Sequence, residues 1–452
     1  MISTLIALAK GHEGSSCHLQ MNHEKYDERL AQVKRVLQKL NLKPLDILPV
    51  DYEENLPFPY NNFIYKIALS YPASPDVFPG LQPYTAKPPL QGVSSVIIRL
   101  SNPAAEGLNH DNRVENEVAA LHLARKGLAS FKPDMVSTVP AVYAWQPAPL
   151  SSKTADGSLG WILMDFKQGV PLDKAFQLLS SSQKVEVLGQ LADIFSGIQH
   201  APLPESLEMY GGIVVKDGKL VHGQMTTLAG GPWKTYADFW STRLSSQLGH
   251  SESSSALQGW RPNGIREKID NFLAADLDSI LKDAGVDGTC RALVHGDLTM
   301  NNVLFDSATN KITGLVDFDF SSISHPYQEF VASFGDVGGN VIGGCGPDCT
   351  EGRLPKALLT GSFEVKDLPA EACEVWEIAK AWDAALAARN TLKPSTIAGV
   401  SVLTQLAKLE GLLCPFKLAH PVFLKKMTLE KIAEERAAAE KALVTCLGSL
   451  GF

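Results

Sequence analysis

Asp297, Asn302 five residues later and Asp317 fifteen beyond that form a set whose types and spacing can do chemistry. Carboxylate and amide oxygens are hard donors that suit Mg²⁺, and a carboxylate can also orient an acceptor hydroxyl and take its proton. A protein that moves a phosphoryl group has little covalent work to do. It must position the reactants and neutralise the triphosphate. The spacing makes Asp297 the candidate base and Asn302 and Asp317 the candidate metal ligands.

The elements around them should bring the three together. Apolar runs at 292–294, 303–305 and 315–316 are expected as buried strands, leaving the polar residues at loops or strand ends. Further upstream, strands are expected at 63–69, 95–100, 139–145 and 160–166, with an amphipathic helix over 113–127 and a polar loop over 151–158. A helix over 24–40 stops at Asn41 and Pro44, and a Pro- and Asn-rich break follows. Helical spacing then dominates at 181–200, 235–248, 266–284, 370–390, 394–413 and 422–447. Lys216-Asp217-Gly218 should turn a hairpin between 213–215 and 219–221. No internal repeat is evident.

The shift from strand-rich to helix-rich sequence near Phe166 suggests a lobe boundary. The expected organisation is an N-terminal helical extension over 1–50, a sheet-containing lobe over 51–166 and a mainly helical lobe over 167–452.

The run His295-Gly296-Asp297 through Asn302, followed by Val316-Asp317-Phe318, resembles the aminoglycoside phosphotransferase and choline kinase families. Within them it is most similar to fungal-type members whose substrate is unassigned. The resemblance extends from about residue 60 to 335. It implies an α+β, bilobal, protein-kinase-like fold and an ATP- and Mg²⁺-dependent transfer to a small-molecule hydroxyl. On it Asp297 is the base, Asn302 and Asp317 hold the metal, and His295 braces the loop. Arg99 stands where most relatives carry the phosphate-contacting Lys, and Glu117 stands where a helix supplies its partner. The turn Tyr60-Asn61-Asn62 takes the place of a glycine-rich phosphate loop, and Met164-Asp165-Phe166 resembles the linker that holds adenine. Asp319 matches an acidic position of choline kinases, and Glu329 falls near the acidic residue that often follows the metal-binding Asp. The missing H-R-D and A-P-E signals turn the expectation away from protein substrates.

The bulk properties agree. A net charge of −8 without a Lys/Arg-rich run argues against nucleic acid. Seven scattered cysteines fit free thiols in the cytosol, and no apolar run is long enough to span a membrane. Residues 2–9 read as an initial helix rather than a signal peptide. Cys345 and Cys349 offer two ligands where structural zinc needs four, and Trp376 and Trp382 read as core rather than as a cage for a cation. The competing functional reading is a catalytically weak kinase-like protein that binds a nucleotide or small ligand in a regulatory role. Arg99 and the missing glycine-rich loop motivate it.

Overall fold

The computed structural model describes residues 22–50, 59–148, 158–342 and 352–452. The helix expected at 2–9, most of the loop 151–158 and the Cys345–Cys349 segment lie outside the described residues. The chain is α+β and divides into two compact units: one runs to Pro232 and regains Ala292–Ser324, the other comprises Trp233–Arg291 and His325–Phe452. The cut falls after Pro232 rather than near 166. The reason is that the strands around the candidate loop pair with earlier chain: Phe305 pairs with Val170, and Ile323 bridges Gly211.

The first unit holds α1 (Tyr26–Lys39), β1 (Pro44–Pro49), β2 (Asn62–Ala73), β3 (Val93–Ser101), α2 (Arg113–Phe131), β4 (Val142–Gln146) and β5 (Trp161–Asp165). The five strands form an antiparallel sheet in the order β1-β2-β3-β5-β4. β1 lies in the stretch expected as a break. Its prolines stand at the two ends of an edge strand, where a missing N–H costs the ladder little. Along β3 side chains alternate between faces. Val96, Ile98 and Leu100 join Val33, Val36 and Leu37 of α1 in one apolar core, while Arg99 points to the other face, toward α2.

Next come β6 (Val170–Pro171), α3 (Leu172–Phe176), α4 (Ser181–Gln199) and the hairpin β7 (Gly212–Lys216) and β8 (Lys219–Gly223). Asp217 and Gly218 both take positive φ, as the tight hairpin turn requires. After the intervening helical segment the chain adds β9 (Ala292–Val294), β10 (Val303–Asp306), β11 (Lys311–Leu315) and β12 (Ser322–Ser324). β10 lies between β6 and β11, and β9 pairs with β12. The strands expected at 213–215, 219–221, 292–294 and 303–305 are present, the one expected at 315–316 lies earlier and ends at Leu315, and β6 and β12 are additions.

The second unit is helical in its described residues: α5 (Tyr236–Ser253), α6 (Ile265–Leu273), α7 (Leu277–Asp283), α8 (Tyr327–Ala332), α9 (Arg353–Thr360), α10 (Ala370–Ala387), α11 (Val400–Leu413), α12 (Phe416–Ala419), α13 (Pro421–Leu424) and α14 (Leu429–Ser449). The helix expected over 266–284 is two helices, because Asp276 caps α7 by accepting from the Ser279 N–H at 3.2 Å. Thr428 starts α14 in the same way. Trp376 packs with Leu354, Ala357 and Ala379, and Trp382 lies against Phe334, so both tryptophans are core residues. Cys290, Cys373, Cys414 and Cys446 are free thiols. Among the described residues no helix is long and apolar enough to cross a membrane.

α2 is buried on nearly every side, and its close approach to α4 rests on small residues. A Cβ added at Gly127 would meet the Gly197 carbonyl oxygen at 2.1 Å and the Ala201 Cα at 2.9 Å. Gly127→Ala gains about 1 kcal/mol of helix propensity, but the clash is with backbone on both counts and should outweigh that gain. We expect a net loss of about 2 kcal/mol, read as a lower denaturant midpoint at unchanged slope.

Candidate active site

The loop after β9 is drawn tight against the turn at 318–320. Gly296 sits at φ +83°, and a Cβ there would come within 2.6 Å of the Phe320 carbonyl oxygen, so only glycine fits. His295 is fully buried beside Phe318, with ring centroids 4.5 Å apart. The Asp297 N–H donates to His295 Nδ1 at 3.3 Å, which leaves the ring proton on Nε2, and Nε2 donates to the Val316 carbonyl at 3.2 Å. Burial pushes this imidazole down to about 4, so it is neutral near pH 7. It braces the loop, as the resemblance implies.

Asn302 closes the same loop. Its Nδ2 donates to the Asp297 carbonyl at 2.8 Å and to Asp297 Oδ2 at 3.3 Å. The Val316 N–H donates to the Asn302 carbonyl at 2.9 Å. Two backbone groups of Val316 therefore hold one loop, and the next residue is Asp317. Asp297, Asn302 and Asp317 are brought together by residues 294–303 and 315–317.

Asp317 takes φ +65°, a left-handed conformation that Asp tolerates better than most residues. The kink separates two carboxylates only two residues apart. The Asp317 side chain stays 43% exposed, whereas that of Asp319 is 2% exposed. Arg99 reaches both. Its Nη1 pairs with Glu117 and lies 3.2 Å from Asp317 Oδ1, and its Nη2 lies 3.0 Å from Asp319 Oδ2. Arg113, on the first turn of α2, takes Asp319 with a fork, Nε to Oδ1 at 2.8 Å and Nη2 to Oδ2. Two buried guanidiniums thus share three carboxylates.

The charges follow from this packing. Burial works against the Arg99 charge, but Glu117, Asp319 and Asp317 more than offset it and hold its pKa above the ordinary value. Burial also opposes the Asp319 charge, yet Arg99, Arg113 and Asn62 keep its carboxyl below the usual range. Burial pushes the Glu117 carboxyl up, and the Arg99 guanidinium paired with it pulls the other way.

The remaining expected residues divide. Asn62 Nδ2 donates to Asp319 Oδ2 at 3.1 Å, and the Asn61 carbonyl accepts from Arg113 Nη2 at 2.8 Å, so this turn joins the charge cluster. Met164 is buried within β5. Asp165 Oδ1 accepts from the Ala141 N–H at 2.6 Å and its Oδ2 pairs with Lys167 at 2.6 Å. Phe166 lies under the Lys66 ammonium, 3.9 Å from ring centroid to Nζ. Glu329 belongs to the second unit and accepts from the Ser333 hydroxyl at 2.5 Å.

Arg113 was missing from the expected site. A signal for it existed, since Arg113 stands four residues before Glu117 and so shares its helix face.

Residues 90–341 match the profile of the phosphotransferase enzyme family, more than half of the chain. The chain belongs to that family. The match spans Arg99, Arg113, Glu117, Asp165, Asp297, Asn302, Asp317 and Asp319 and begins after the turn at Asn61 and Asn62. A search of curated proteins finds no match. Among solved structures this phosphotransferase is similar to ADP-bound aminoglycoside phosphotransferase APH(2'')-Ib, at 9% identity and a TM-score of 0.43 over 92% of this chain and 98% of that one. It is also similar to the streptomycin-ATP-APH(2")-IIa ternary complex, at 10% identity, TM-score 0.44, 91% and 97%. A third similar structure is the Plasmodium vivax ethanolamine kinase, at 11% identity, TM-score 0.41, 97% and 93%.

The buried histidines give a pH dependence. An unfolded histidine titrates near 6.5, but folded His295 does so at about 4, and His325 in the second unit is also held down to about 4 by burial. Between those values the unfolded chain binds protons that the folded chain does not, so stability falls as pH drops from about 6.5 to about 4. Each histidine contributes roughly 3 kcal/mol to that fall. Urea unfolding across this range should show the loss, and His295→Gln should remove about one proton from the slope.

Proposed function

We propose that this phosphotransferase is an ATP- and Mg²⁺-dependent kinase that phosphorylates a hydroxyl of a small molecule. The observation that carries the reading is the stitching of the loop to Val316 through His295 Nε2 and the Asn302 carbonyl, which sets Asp297, Asn302 and Asp317 side by side. Family membership supports the same chemistry.

The donor set fits Mg²⁺. Asn302 spends its amide nitrogen on Asp297, so the atom it can offer a cation is its oxygen, and the Asp317 carboxylate faces solvent at 43% side-chain exposure. Among the described residues no group of three or more His, Cys, Asp or Glu could hold a metal ion by itself. A kinase-type site needs no such group, because Mg²⁺ keeps water and takes phosphate oxygens beside one or two protein ligands. When bound with ATP the ion would neutralise the charge that builds on the phosphates.

The chain's own residues supply the rest. Asp297 is the carboxylate that orients the acceptor hydroxyl and receives its proton, with Oδ2 steadied by Asn302. Arg99 is a permanent cation opposed to the α- and β-phosphates, and Glu117 keeps it on its side of β3. The Asp165 side chain is committed to Ala141 and Lys167, so Met164, Asp165 and Phe166 would hold adenine through main-chain groups. Asn61 and Asn62 form the turn beside the phosphates. The absence of protein-kinase signatures favours a small acceptor, and the free thiols favour the cytosol.

Asp297→Asn should lower turnover at least about a hundredfold while MgATP affinity and folding persist, because the amide keeps the shape and loses only the proton acceptor. Native-like turnover would remove Asp297 from the role. Asn302→Ala and Asp317→Ala should each weaken nucleotide binding with Mg²⁺ but not without it, as read by calorimetry. Arg99→Ala should raise the apparent KM for ATP, with Arg99→Lys milder, since one ammonium keeps the charge but not the fork that spans Glu117, Asp317 and Asp319. A native protein that binds MgATP yet turns over no acceptor from a metabolite panel would return the regulatory reading.

A further inference from the structure

We infer that Arg113 is a positioning residue for the nucleotide site: by saturating Asp319 it fixes how the Arg99 fork is divided between Asp319, Glu117 and Asp317. The inference rests on the kinase reading of that site. Arg113 is 2% exposed and stands at the first residue of α2. A cation is unfavourable at a helix N-terminus, where the backbone N–H groups already concentrate positive charge, so the helix alone does not favour it there. Burial adds a larger cost unless the charge is paired and hydrogen-bonded.

The partners account for the placement. Nε and Nη2 take the two oxygens of Asp319, Nη2 also donates to the Asn61 carbonyl at 2.8 Å and to Asn62 Oδ1 at 3.3 Å, and Nη1 donates to the Asn102 carbonyl at 3.3 Å. One side chain therefore ties α2, the 60–62 turn, the end of β3 and the segment after Asp317. Asp319 Oδ2 also accepts from Asn62 Nδ2 and forms an ion pair with Arg99 Nη2, so both its oxygens are occupied. It acts as a counter-ion and not as a metal ligand.

Without Arg113, Asp319 keeps Arg99 as its one guanidinium partner. The Arg99 fork is then drawn onto Asp319 and away from Glu117 and Asp317, and the 60–62 turn loses its anchor. Nucleotide affinity should suffer more than the proton transfer at Asp297.

The test is a cycle of Arg113→Met, Asp319→Asn and the double variant, with Arg113→Lys alongside, each read by melting temperature and by calorimetric Kd for MgATP. Arg113→Met should lower the melting temperature by about 10 °C, because it strands a buried carboxylate. The double variant should recover most of that loss, since no buried charge is left unpaired. Its Kd should nevertheless stay at least about tenfold weaker than native, as should that of Arg113→Lys, which keeps the charge but cannot span Asp319 and the Asn61 carbonyl. Native-like Kd in folded Arg113→Lys, or recovery of Kd together with melting temperature in the double variant, would overturn the inference. If Arg113→Met does not fold, Arg113→Lys and the double variant decide. A native protein that binds no MgATP would defeat the kinase reading and this inference with it, whereas tight native binding with unaffected variants defeats this inference alone.

Discussion

Two buried guanidiniums held among two buried carboxylates and the exposed Asp317 form the constraint on which the site depends. Arg99, Arg113, Glu117 and Asp319 are each at most 5% exposed. Removing one member of a buried ion pair typically costs about 3–5 kcal/mol, far more than the exposed pairs elsewhere on the chain can contribute. The cluster is therefore tolerable only when complete, and its members come from three parts of the fold: Arg99 from β3, Arg113 and Glu117 from α2, and Asp317 and Asp319 from the turn after β11.

That requirement explains why α2 is anchored so heavily. Asn116, one position before Glu117, donates to the Ser321 carbonyl at 2.8 Å and accepts from the Ile213 N–H at 2.8 Å, tying the helix to both the 318–321 turn and β7. At its other end α2 meets α4 through Gly127 and Gly197, where no larger side chain fits. A helix held at both ends cannot slide, so Arg113 and Glu117 stay in register with β3. The face of β3 opposite Arg99 is clamped in turn by the apolar core beneath α1.

The same arrangement separates structural charge from charge available for chemistry. The left-handed backbone at Asp317 turns one carboxylate outward and lets the chain bury Asp319 two residues later. Neutral His295 adds no charge near Asp297 yet fixes the loop through both ring nitrogens. Asp319 and His295, which hold the site, thus spend their polar atoms on protein partners. Asp317, with its exposed carboxylate, keeps capacity for a ligand.

The sequence by itself was informative wherever the signal is local. Strand-length apolar runs, the helix over 24–40, the hairpin at Asp217-Gly218 and the Asp297, Asn302, Asp317 spacing are set by residue type and period, and neighbouring residues carry them. β1 escaped because its prolines mask an edge strand, and the breaks before α7 and α14 escaped because Asp276 and Thr428 act as caps only once the chain has turned. What tertiary structure decided was the electrostatic partnership. Arg113 and Asp319 are 206 residues apart, and Asn62 and Asp319 are 257 apart. No period or spacing encodes such pairs, because the cost of burying a charge is met by whichever opposite charge the fold brings beside it. The loop's residue spacing is therefore legible in the one-dimensional pattern, whereas the ions that hold it in place are chosen by three-dimensional burial.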